Sequence, residues 1–350
     1  MKQRLAPDTF TIPVADIKSG LYSDCYFNRT RDILIAENRH PLVMMQIFQR
    51  QHALLCGIDE AIATIRKCAH NPEKLDIKAL HDGDEIAPWE TVMTIEGDLA
   101  DFSPLETVYL GFLARQTKVA TNTRRCVKAA AGKPVFFFSS RFDPWSVQAG
   151  DGYAAKIGGA AGVATPANGL YWGGQAIGTI PHALIATYGG DTVAATLAFD
   201  RVIDPAVNRV ALVDYDNDCV ATSLAVARAM GGKLWGVRLD TSDTIVDASV
   251  IPQMGTFRPT GVCPQLVENV RRALDEAGYA NVKIMVSGGF NADRIAEFEA
   301  ARVPVDIYAV GASLLAESVN FTADIVMVDG KPCAKAGRSV RPNPRLEPVE

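Results

Sequence analysis

The chain has 350 residues, of which 48% are hydrophobic and 21% are charged, and its formal net charge is −5. This composition is typical of a globular protein with a large core, and the length favours two domains. The acidic balance and the absence of long Lys/Arg runs argue against a nucleic-acid or membrane-surface role, although local arginines can still hold small anions.

The cysteines are spread singly along the sequence, and none forms a C-x-x-C pair. The sequence therefore contains neither a zinc knuckle nor a dithiol redox motif. The pattern indicates buried thiols in a reducing compartment. The first residues lack the apolar segment of a signal peptide, and no stretch approaches the ~20 apolar residues of a membrane span. We expect a soluble cytoplasmic protein.

Residues 1–118 mix short strands and helices. We expect strands at Phe10–Ile17 and at Thr91–Glu96, where the second ends at Gly97-Asp98. Helical spacing of apolar residues predicts helices at Glu60–Cys68 and Pro104–Lys118.

From about residue 119 the pattern changes to a regular alternation of strands and helices. The predicted strands are Val135–Phe138, Val210–Val213, Leu234–Leu239, Lys283–Val286 and Asp306–Val310. The predicted helices are Asn122–Ala131, Cys219–Met230, Cys263–Ala277 and Asn291–Ala300. This order implies βαβ units and a parallel sheet that is closed or partly closed. After Asp324 the chain returns to short β-like segments, which we expect to rejoin the first domain.

Arg141 and His182 are candidate functional residues, because the first follows a buried strand and the second ends a glycine-bearing turn. Val135–Phe138 is apolar throughout, as in a strand that is buried on both faces, and Arg141 follows it. His182 ends the segment Gly178–His182. Arg141 can fork onto a carboxylate or phosphate, and His182 can carry a proton or a phosphoryl group. By position alone, His182 could equally be a partly buried structural side chain.

Glycine-rich loops follow the two last predicted strands. Ser287, Gly288 and Gly289 follow one strand, and Gly311 and Ala312 follow the next. Glycines let backbone N–H groups approach an anion, and the following helix N-terminus attracts it. Two glycine loops after the two last strands match the phosphate-binding loops of (β/α) barrels. The alternative is that both segments are ordinary tight turns.

An acidic run comprises Asp214, Asp216 and Asp218. It is not an EF-hand loop, because Cys219 and Ala225 occupy the positions that require Gly and Glu. A Mg²⁺ or ribose-hydroxyl role at a strand end is one interpretation. Solvated turn carboxylates that cap the following helix are the other.

These residues together resemble the nicotinate phosphoribosyltransferase family, within the wider quinolinate/nicotinate/nicotinamide phosphoribosyltransferase group. The resemblance covers nearly the whole chain and lies in motifs that occur in the family's order. They are Tyr22-Ser23-Asp24-Cys25-Tyr26, Phe138-Ser139-Ser140-Arg141, Gly178-Thr179-Ile180-Pro181-His182, Val213-Asp214-Tyr215-Asp216, Arg238-Leu239-Asp240-Thr241-Ser242-Asp243 and the two glycine loops.

The resemblance implies an α/β fold with two domains. An α/β sandwich would be built from both chain ends, residues 1–118 with 324–350, and residues 119–323 would form an irregular, incomplete (β/α) barrel. It also implies a head-to-tail homodimer at minimum, in which Tyr26 reaches the barrel of the neighbouring subunit.

The resemblance also assigns roles to the site residues. Tyr26 and Phe138 would sandwich a pyridine ring, and Arg141 would face its substituent. Arg238 and Asp240 would hold the ribose, and Thr179 would contact substrate. The catalytic set would be Arg141, His182 and Asp240. The 5-phosphate would be bound by Ser287, Gly288, Gly289, Gly311 and Ala312.

The implied reaction joins nicotinate to phosphoribosyl pyrophosphate, with Mg²⁺ on the departing pyrophosphate and Asp214 and Asp216 as metal-facing carboxylates. His182 matches the histidine that family members phosphorylate with ATP as co-substrate. One alternative is a quinolinate enzyme that also decarboxylates, or a relative using another pyridine base. The segment 158–169 carries neither His nor Arg, which disfavours the dicarboxylate quinolinate. A non-catalytic protein that binds a phosphoribosyl metabolite and an unrelated barrel lyase or isomerase are further alternatives.

Overall fold

The structure is a computed structural model that describes residues 3–349. The chain divides into two compact units. Unit 1 comprises Met1–Thr121, Ala149–Gly158 and Ala316–Glu350, and unit 2 comprises Asn122–Gln148 and Gly159–Leu315. The domain boundaries given above stay a prediction.

Helices and strands alternate most regularly in unit 2. The α-helices of the described chain are α1 (Val14–Lys18), α2 (Cys25–Ala36), α3 (Ile58–Cys68), α4 (Leu99–Phe102), α5 (Glu106–Ala129), α6 (Gln148–Gly158), α7 (His182–Thr187), α8 (Thr192–Val202), α9 (Cys219–Met230), α10 (Pro264–Glu276) and α11 (Ala292–Ala300). The strands are β1 (Leu42–Phe48), β2 (Ala53–Leu54), β3 (Asp76–Ala79), β4 (Glu85–Ile86), β5 (Thr91–Asp98), β6 (Val135–Phe137), β7 (Gly162–Val163), β8 (Arg209–Leu212), β9 (Leu234–Leu239), β10 (Lys283–Val286), β11 (Ile307–Val310), β12 (Thr322–Val328), β13 (Lys331–Pro332) and β14 (Glu347–Pro348).

Unit 1 is built on an antiparallel sheet with the strand order β13-β12-β1-β5-β3-β14. β12, from the C-terminal part of the chain, pairs with β1, so that Val43 lies opposite Val328. Helix α3 supplies Ile58, Ile62 and Ile65 to the core beneath the sheet. These isoleucines recur at the spacing of one helix face and place it in the apolar core, while most other residues of α3 are buried by neighbouring segments.

Unit 2 is built on a parallel sheet with the order β7-β6-β11-β10-β9-β8. β6 and β11 are buried at every position, as expected for strands covered on both faces. Phe136, Met285, Ile307 and Ala309 form one core cluster of this sheet. The sheet is curled into a half-barrel, so the predicted α/β fold class, with a sandwich from both chain ends and an incomplete barrel, is confirmed.

Most predicted elements are present, one predicted strand is wrong, and two predicted helices are continuous. The predicted strand Phe10–Ile17 is instead a turn followed by α1. Pro13 precedes α1, and a proline at that position is compatible with the start of a helix. Phe10 is buried although it lies outside any strand. The two helices predicted at Pro104–Lys118 and Asn122–Ala131 are the single helix α5, because no helix-breaking residue separates them.

Across residues 3–349, no helix combines the length and the apolar character needed to cross a membrane.

Candidate active site

A cavity of about 770 Å³ opens at the carboxyl ends of the parallel strands of unit 2. Phe138 and Arg141 enter it after β6, Asp240 after β9, and Ser287 after β10. The carboxyl ends of parallel strands meet at one edge of a sheet, and that edge is where barrel folds place ligands. The other lining residues used below are His182, Arg238, Gly288, Gly289, Gly311 and Ala312.

Two arginines in the cavity lack carboxylate partners within hydrogen-bonding distance among residues 3–349. Arg141 is exposed, and its guanidinium lies 5.3 Å from the ring centroid of Phe142. Arg238 lies in β9, and its buried Nε has no hydrogen-bond partner in the described chain. Burial lowers the pKa of Arg238, and the nearby charges of Asp240 and Asp214 oppose this shift. Cations held in this way are suited to an anionic ligand.

His182 begins helix α7 and pairs with Asp214, which follows β8. Its Nε2 lies 3.1 Å from both Oδ1 and Oδ2 of Asp214. The side chain of Asp214 is 8% exposed and that of His182 is 45% exposed. Burial raises the pKa of Asp214, and the histidine partly counteracts this. The pair fixes the ring and leaves Nδ1 without a hydrogen-bond partner in the described part of the chain.

Asp240 is held in place by a neighbouring strand end. Its Oδ1 accepts a hydrogen bond of 2.7 Å from the Ser287 hydroxyl. The same hydroxyl lies 3.2 Å from the carbonyl oxygen of Leu239. Ser287 is 6% exposed, so this bond lies in the wall of the cavity. This hydrogen bond fixes the orientation of the Asp240 carboxylate at the cavity wall.

The two glycine loops require glycine for different reasons, which are backbone conformation in the first and close packing in the second. Gly288 and Gly289 have φ values of +83° and +75°. At Gly311, an added Cβ would lie 3.0 Å from the ring of Phe142. The Ser139 hydroxyl donates a 2.8 Å hydrogen bond to the Gly311 carbonyl, which ties the ends of β6 and β11 together. Backbone groups of both loops thus line the same cavity.

The members of the acidic run have different environments. Asp214 pairs with His182, whereas Asp216 is exposed. Asp218 caps α9, because its side chain accepts a 3.0 Å hydrogen bond from the Ala221 N–H. The capping interpretation therefore describes Asp218.

The residues near the cavity fit a Mg²⁺ ion only together with a phosphorylated ligand. No group of three or more His, Cys, Asp and Glu side chains that could hold a metal occurs in the described residues 3–349. Asp214 and Asp240 are close enough for the charge of Asp240 to raise the pKa of Asp214. Mg²⁺ commonly takes one or two carboxylates plus substrate phosphates, and this pair meets that requirement.

Two of the proposed substrate contacts lie outside the lining of this cavity. Thr179 belongs to unit 2, and its hydroxyl lies 3.3 Å from the Ile180 carbonyl oxygen. Tyr26 belongs to unit 1 and is 59% exposed. Its hydroxyl lies 3.2 Å from Asp24, which also accepts a hydrogen bond from Thr107.

Sequence reasoning missed a buried polar network beneath the Arg141 turn. Ser140 donates a 2.6 Å hydrogen bond to Asn168, which is fully buried. Asn168 in turn donates to the Gln148 carbonyl at 2.8 Å, and Thr165 contacts both. An Asn three residues after a Thr, with Pro between them, is a capping-box signal that could have indicated this turn.

Two family models match the chain. The model for the N-terminal domain of quinolinate phosphoribosyl transferase matches residues 24–117. The model for the C-terminal domain of the same enzyme matches residues 119–328.

Curated relatives and solved structures agree with these models. A nicotinate phosphoribosyltransferase of Mycobacterium tuberculosis is 30% identical over 281 residues, which cover 78% of this chain and 58% of the relative. The chain therefore spans little more than half of that relative's length. A nicotinate-nucleotide pyrophosphorylase from Pyrococcus furiosus is 34% identical with a TM-score of 0.82, covering 100% of this chain and 86% of that one. Human nicotinic acid phosphoribosyltransferase shares the fold, with a TM-score of 0.69 at 17% identity, covering 91% of this chain and 77% of that one.

Proposed function

This chain belongs to the quinolinate phosphoribosyltransferase family, and we propose that it is a nicotinate phosphoribosyltransferase of NAD salvage. Its substrates would be nicotinate and phosphoribosyl pyrophosphate, and its products nicotinate mononucleotide and pyrophosphate. The observation that carries this proposal is one cavity lined by Arg141, Arg238, Asp240 and the two glycine loops, in which neither arginine has an ion-pair partner among residues 3–349. One ligand with a carboxylate, a ribose and a phosphate satisfies all of these groups.

The reaction needs little proton transfer. The ring nitrogen of nicotinate attacks C1 of the ribose with its lone pair, and the bond from C1 to the pyrophosphate oxygen breaks. The ribose passes through an oxocarbenium-like state, as in other glycosyl transfers. Catalysis then rests on positioning and on fixed charge. Arg141 holds the nicotinate carboxylate, Phe138 contacts the ring, and Arg238 and Asp240 orient the ribose.

A Mg²⁺ ion bound with phosphoribosyl pyrophosphate would neutralise negative charge on the leaving pyrophosphate. We propose that Asp214 and Asp216 face this ion. Asp214 is the better supported of the two, because it lies near Asp240, whereas Asp216 is exposed.

We also propose that ATP phosphorylates His182. The bond from Nε2 to Asp214 keeps a proton on that nitrogen and leaves the Nδ1 lone pair available. Nδ1 attacks the γ-phosphorus of ATP, ADP departs, and water later hydrolyses the phosphohistidine. The energy released would be coupled to tighter binding of substrates.

The proposed homodimer would complete the site. Helix α2 has no buried residue, and the segment around it exposes Leu21, Tyr22, Tyr26 and Ile33. Adjacent exposed apolar side chains are typical of an interface. A neighbouring subunit that covers this face would place Tyr26 against the pyridine ring.

The quinolinate reaction is the second candidate, because both family models carry that enzyme's name. It yields the same nucleotide and pyrophosphate together with CO₂. A second carboxylate requires a second cation, and the cavity segment around Ala164 and Thr165 supplies none. This favours nicotinate.

The test measures pyrophosphate release from phosphoribosyl pyrophosphate and Mg²⁺ with nicotinate, nicotinamide or quinolinate, each with and without ATP. We expect release with nicotinate that ATP accelerates. Release with quinolinate and stoichiometric CO₂ would replace the proposal with the second candidate. No release with any base, despite binding of phosphoribosyl pyrophosphate, would favour a non-catalytic binding protein.

A further inference from the structure

Arg294 lies outside the substrate cavity but next to its glycine loop. It belongs to the first turn of α11 and lines a second cavity of about 730 Å³. Gly288 and Gly289 line both cavities, whereas Arg294 lines only the second. The reaction described above gives this residue no role.

The guanidinium of Arg294 is fixed by several contacts. Its Nη1 donates a 2.9 Å hydrogen bond to the Gly288 carbonyl, and Nη2 donates a 2.8 Å bond to the Val262 carbonyl. It also lies over the rings of Phe290 and Phe298, at 4.4 and 5.8 Å from their centroids. A planar group with two directed bonds and two aromatic neighbours has little freedom to rotate.

These contacts determine the direction of one peptide group. The carbonyl of Gly288 and the N–H of Gly289 belong to the same peptide and point in opposite directions. The carbonyl points to Arg294 on the side of the second cavity. The N–H of Gly289 is therefore directed away from Arg294, and Gly289 also lines the substrate cavity.

This peptide would otherwise have no strong preference for either direction. Both flanking residues are glycines with positive φ, and glycine adopts positive and negative φ about equally well. If the peptide rotated, it would present a carbonyl oxygen to the ligand in place of an N–H group. A carbonyl facing a phosphate is repulsive, whereas an N–H group binds it.

We propose that Arg294 is a positioning residue that holds the Gly288–Gly289 peptide with its N–H toward the substrate 5-phosphate. The inference rests on the proposed function in one respect, namely that the 5-phosphate lies at this glycine loop. Arg294 would act through the backbone and without touching the substrate. It would therefore affect binding of the phosphate end of the substrate and leave binding of the pyridine base unchanged.

The test compares Arg294→Met with Arg294→Lys in the full chain. We expect Arg294→Met to raise KM for phosphoribosyl pyrophosphate about tenfold or more, with kcat and KM for nicotinate changed less than about twofold. Arg294→Lys keeps the charge and one donor and should fall between Met and wild type. Arg258→Met is the matched control, since Arg258 lines the same second cavity but bonds to Thr260 and not to the glycine loop.

Direct binding provides a second readout. The affinity for ribose 5-phosphate, measured by calorimetry, should fall about tenfold in Arg294→Met, while the affinity for nicotinate should not change. An equal loss of both affinities would show a general structural defect and would overturn the inference. Unchanged affinity for ribose 5-phosphate would also overturn it, and Arg294→Lys provides the same comparison if the Met variant does not fold.

The two proposals fail in different ways. If wild-type protein transfers the phosphoribosyl group but Arg294→Met keeps its affinity for ribose 5-phosphate, the role of Arg294 is wrong and the function stands. If wild-type protein transfers to no pyridine base and Arg294→Met still loses ribose 5-phosphate selectively, the function is wrong and the role of Arg294 stands.

Discussion

At the scale of single residues, charge without a partner is the most informative feature of this molecule. Arg141 and Arg238 occupy one cavity without an ion pair among residues 3–349, and burial disfavours the charge of Arg238. A partly buried cation that has no carboxylate partner in the protein is stabilised when an anionic ligand binds beside it. Under the proposed function, Arg141 would bind the carboxylate of the base and Arg238 the ribose end of the other substrate.

Arg141→Ala tests this directly. We expect kcat/KM for nicotinate to fall about 100-fold or more, because the nicotinate carboxylate loses a charge-assisted hydrogen bond. Arg141→Lys should recover part of the loss, since it keeps the charge without the fork. Steady-state pyrophosphate release measures both variants, and wild-type kcat/KM in Arg141→Ala would remove the residue from the site.

His182→Asn separates the two chemical steps. Basal phosphoribosyl transfer should stay within about threefold of wild type, whereas stimulation by ATP should disappear because Asn cannot accept a phosphoryl group. Radiolabel from γ-labelled ATP, measured on the protein after alkaline quenching, should be present in wild type and absent in the variant. Retained stimulation by ATP would show that His182 is not the phosphoryl acceptor.

At the scale of elements, unit 1 contains a buried acidic cluster between α3 and the turn before β4. Asp82 is half-buried, and its Oδ1 accepts a 3.0 Å hydrogen bond from the Ile58 N–H. Burial, together with the negative charge of the neighbouring Asp59, raises the pKa of Asp82 from 3.8 to about 7. The guanidinium of Arg4 lies 2.9 Å from Asp59 and pairs with the charge of that carboxylate, not with the charge of Asp82.

The raised pKa of Asp82 predicts how stability depends on pH. The folded state binds the Asp82 proton more tightly than the unfolded state. This contribution to stability is fully present below pH 3.8 and is lost as the pH rises through about 7. Asp82→Asn should therefore flatten the fall of Tm between these values and raise the free energy of unfolding at pH 8 by ~2 kcal/mol.

The matched control for this change is Asp76→Asn, whose side chain is 55% exposed and pairs with Lys78. It should leave the pH profile of Tm unchanged, because exposed pairs contribute little. Thermal unfolding of the three proteins at several pH values decides the matter. An Asp82→Asn profile that parallels the wild type would show that Asp82 does not titrate in this range.

At the scale of the whole molecule, the exposed apolar face around α2 predicts a site shared between two subunits. Tyr26→Ala and Arg141→Ala proteins should each be nearly inactive, because each lacks one half of every site. After co-refolding in equal amounts, hybrid dimers with one intact site should restore about a quarter of wild-type activity. Absence of recovery, with hybrid dimers present by mass spectrometry, would place Tyr26 outside the neighbour's site.

The sequence by itself determined the barrel half of the fold. Uniformly apolar strands such as Val135–Phe138 have few alternatives to burial on both faces, and regular alternation with helices then requires a parallel sheet. Glycines after β10 and β11 marked a possible phosphate loop, and after β10 both Gly288 and Gly289 adopt the positive φ that glycine allows. Pattern reasoning failed at Phe10–Ile17, where so short a segment fits a turn as well as a strand.

Only the tertiary structure decided which polar groups meet. His182 and Asp214 are 32 residues apart, and nothing in their spacing indicates the 3.1 Å contact. In the sequence, nothing distinguishes Arg294 from other arginines in the first turn of a helix, and only the structure shows its hydrogen bond to the Gly288 carbonyl. Periodicity and residue type are local properties that a sequence carries directly. Contacts between distant side chains depend on strand order and sheet curvature, which bring separate strand ends to one edge.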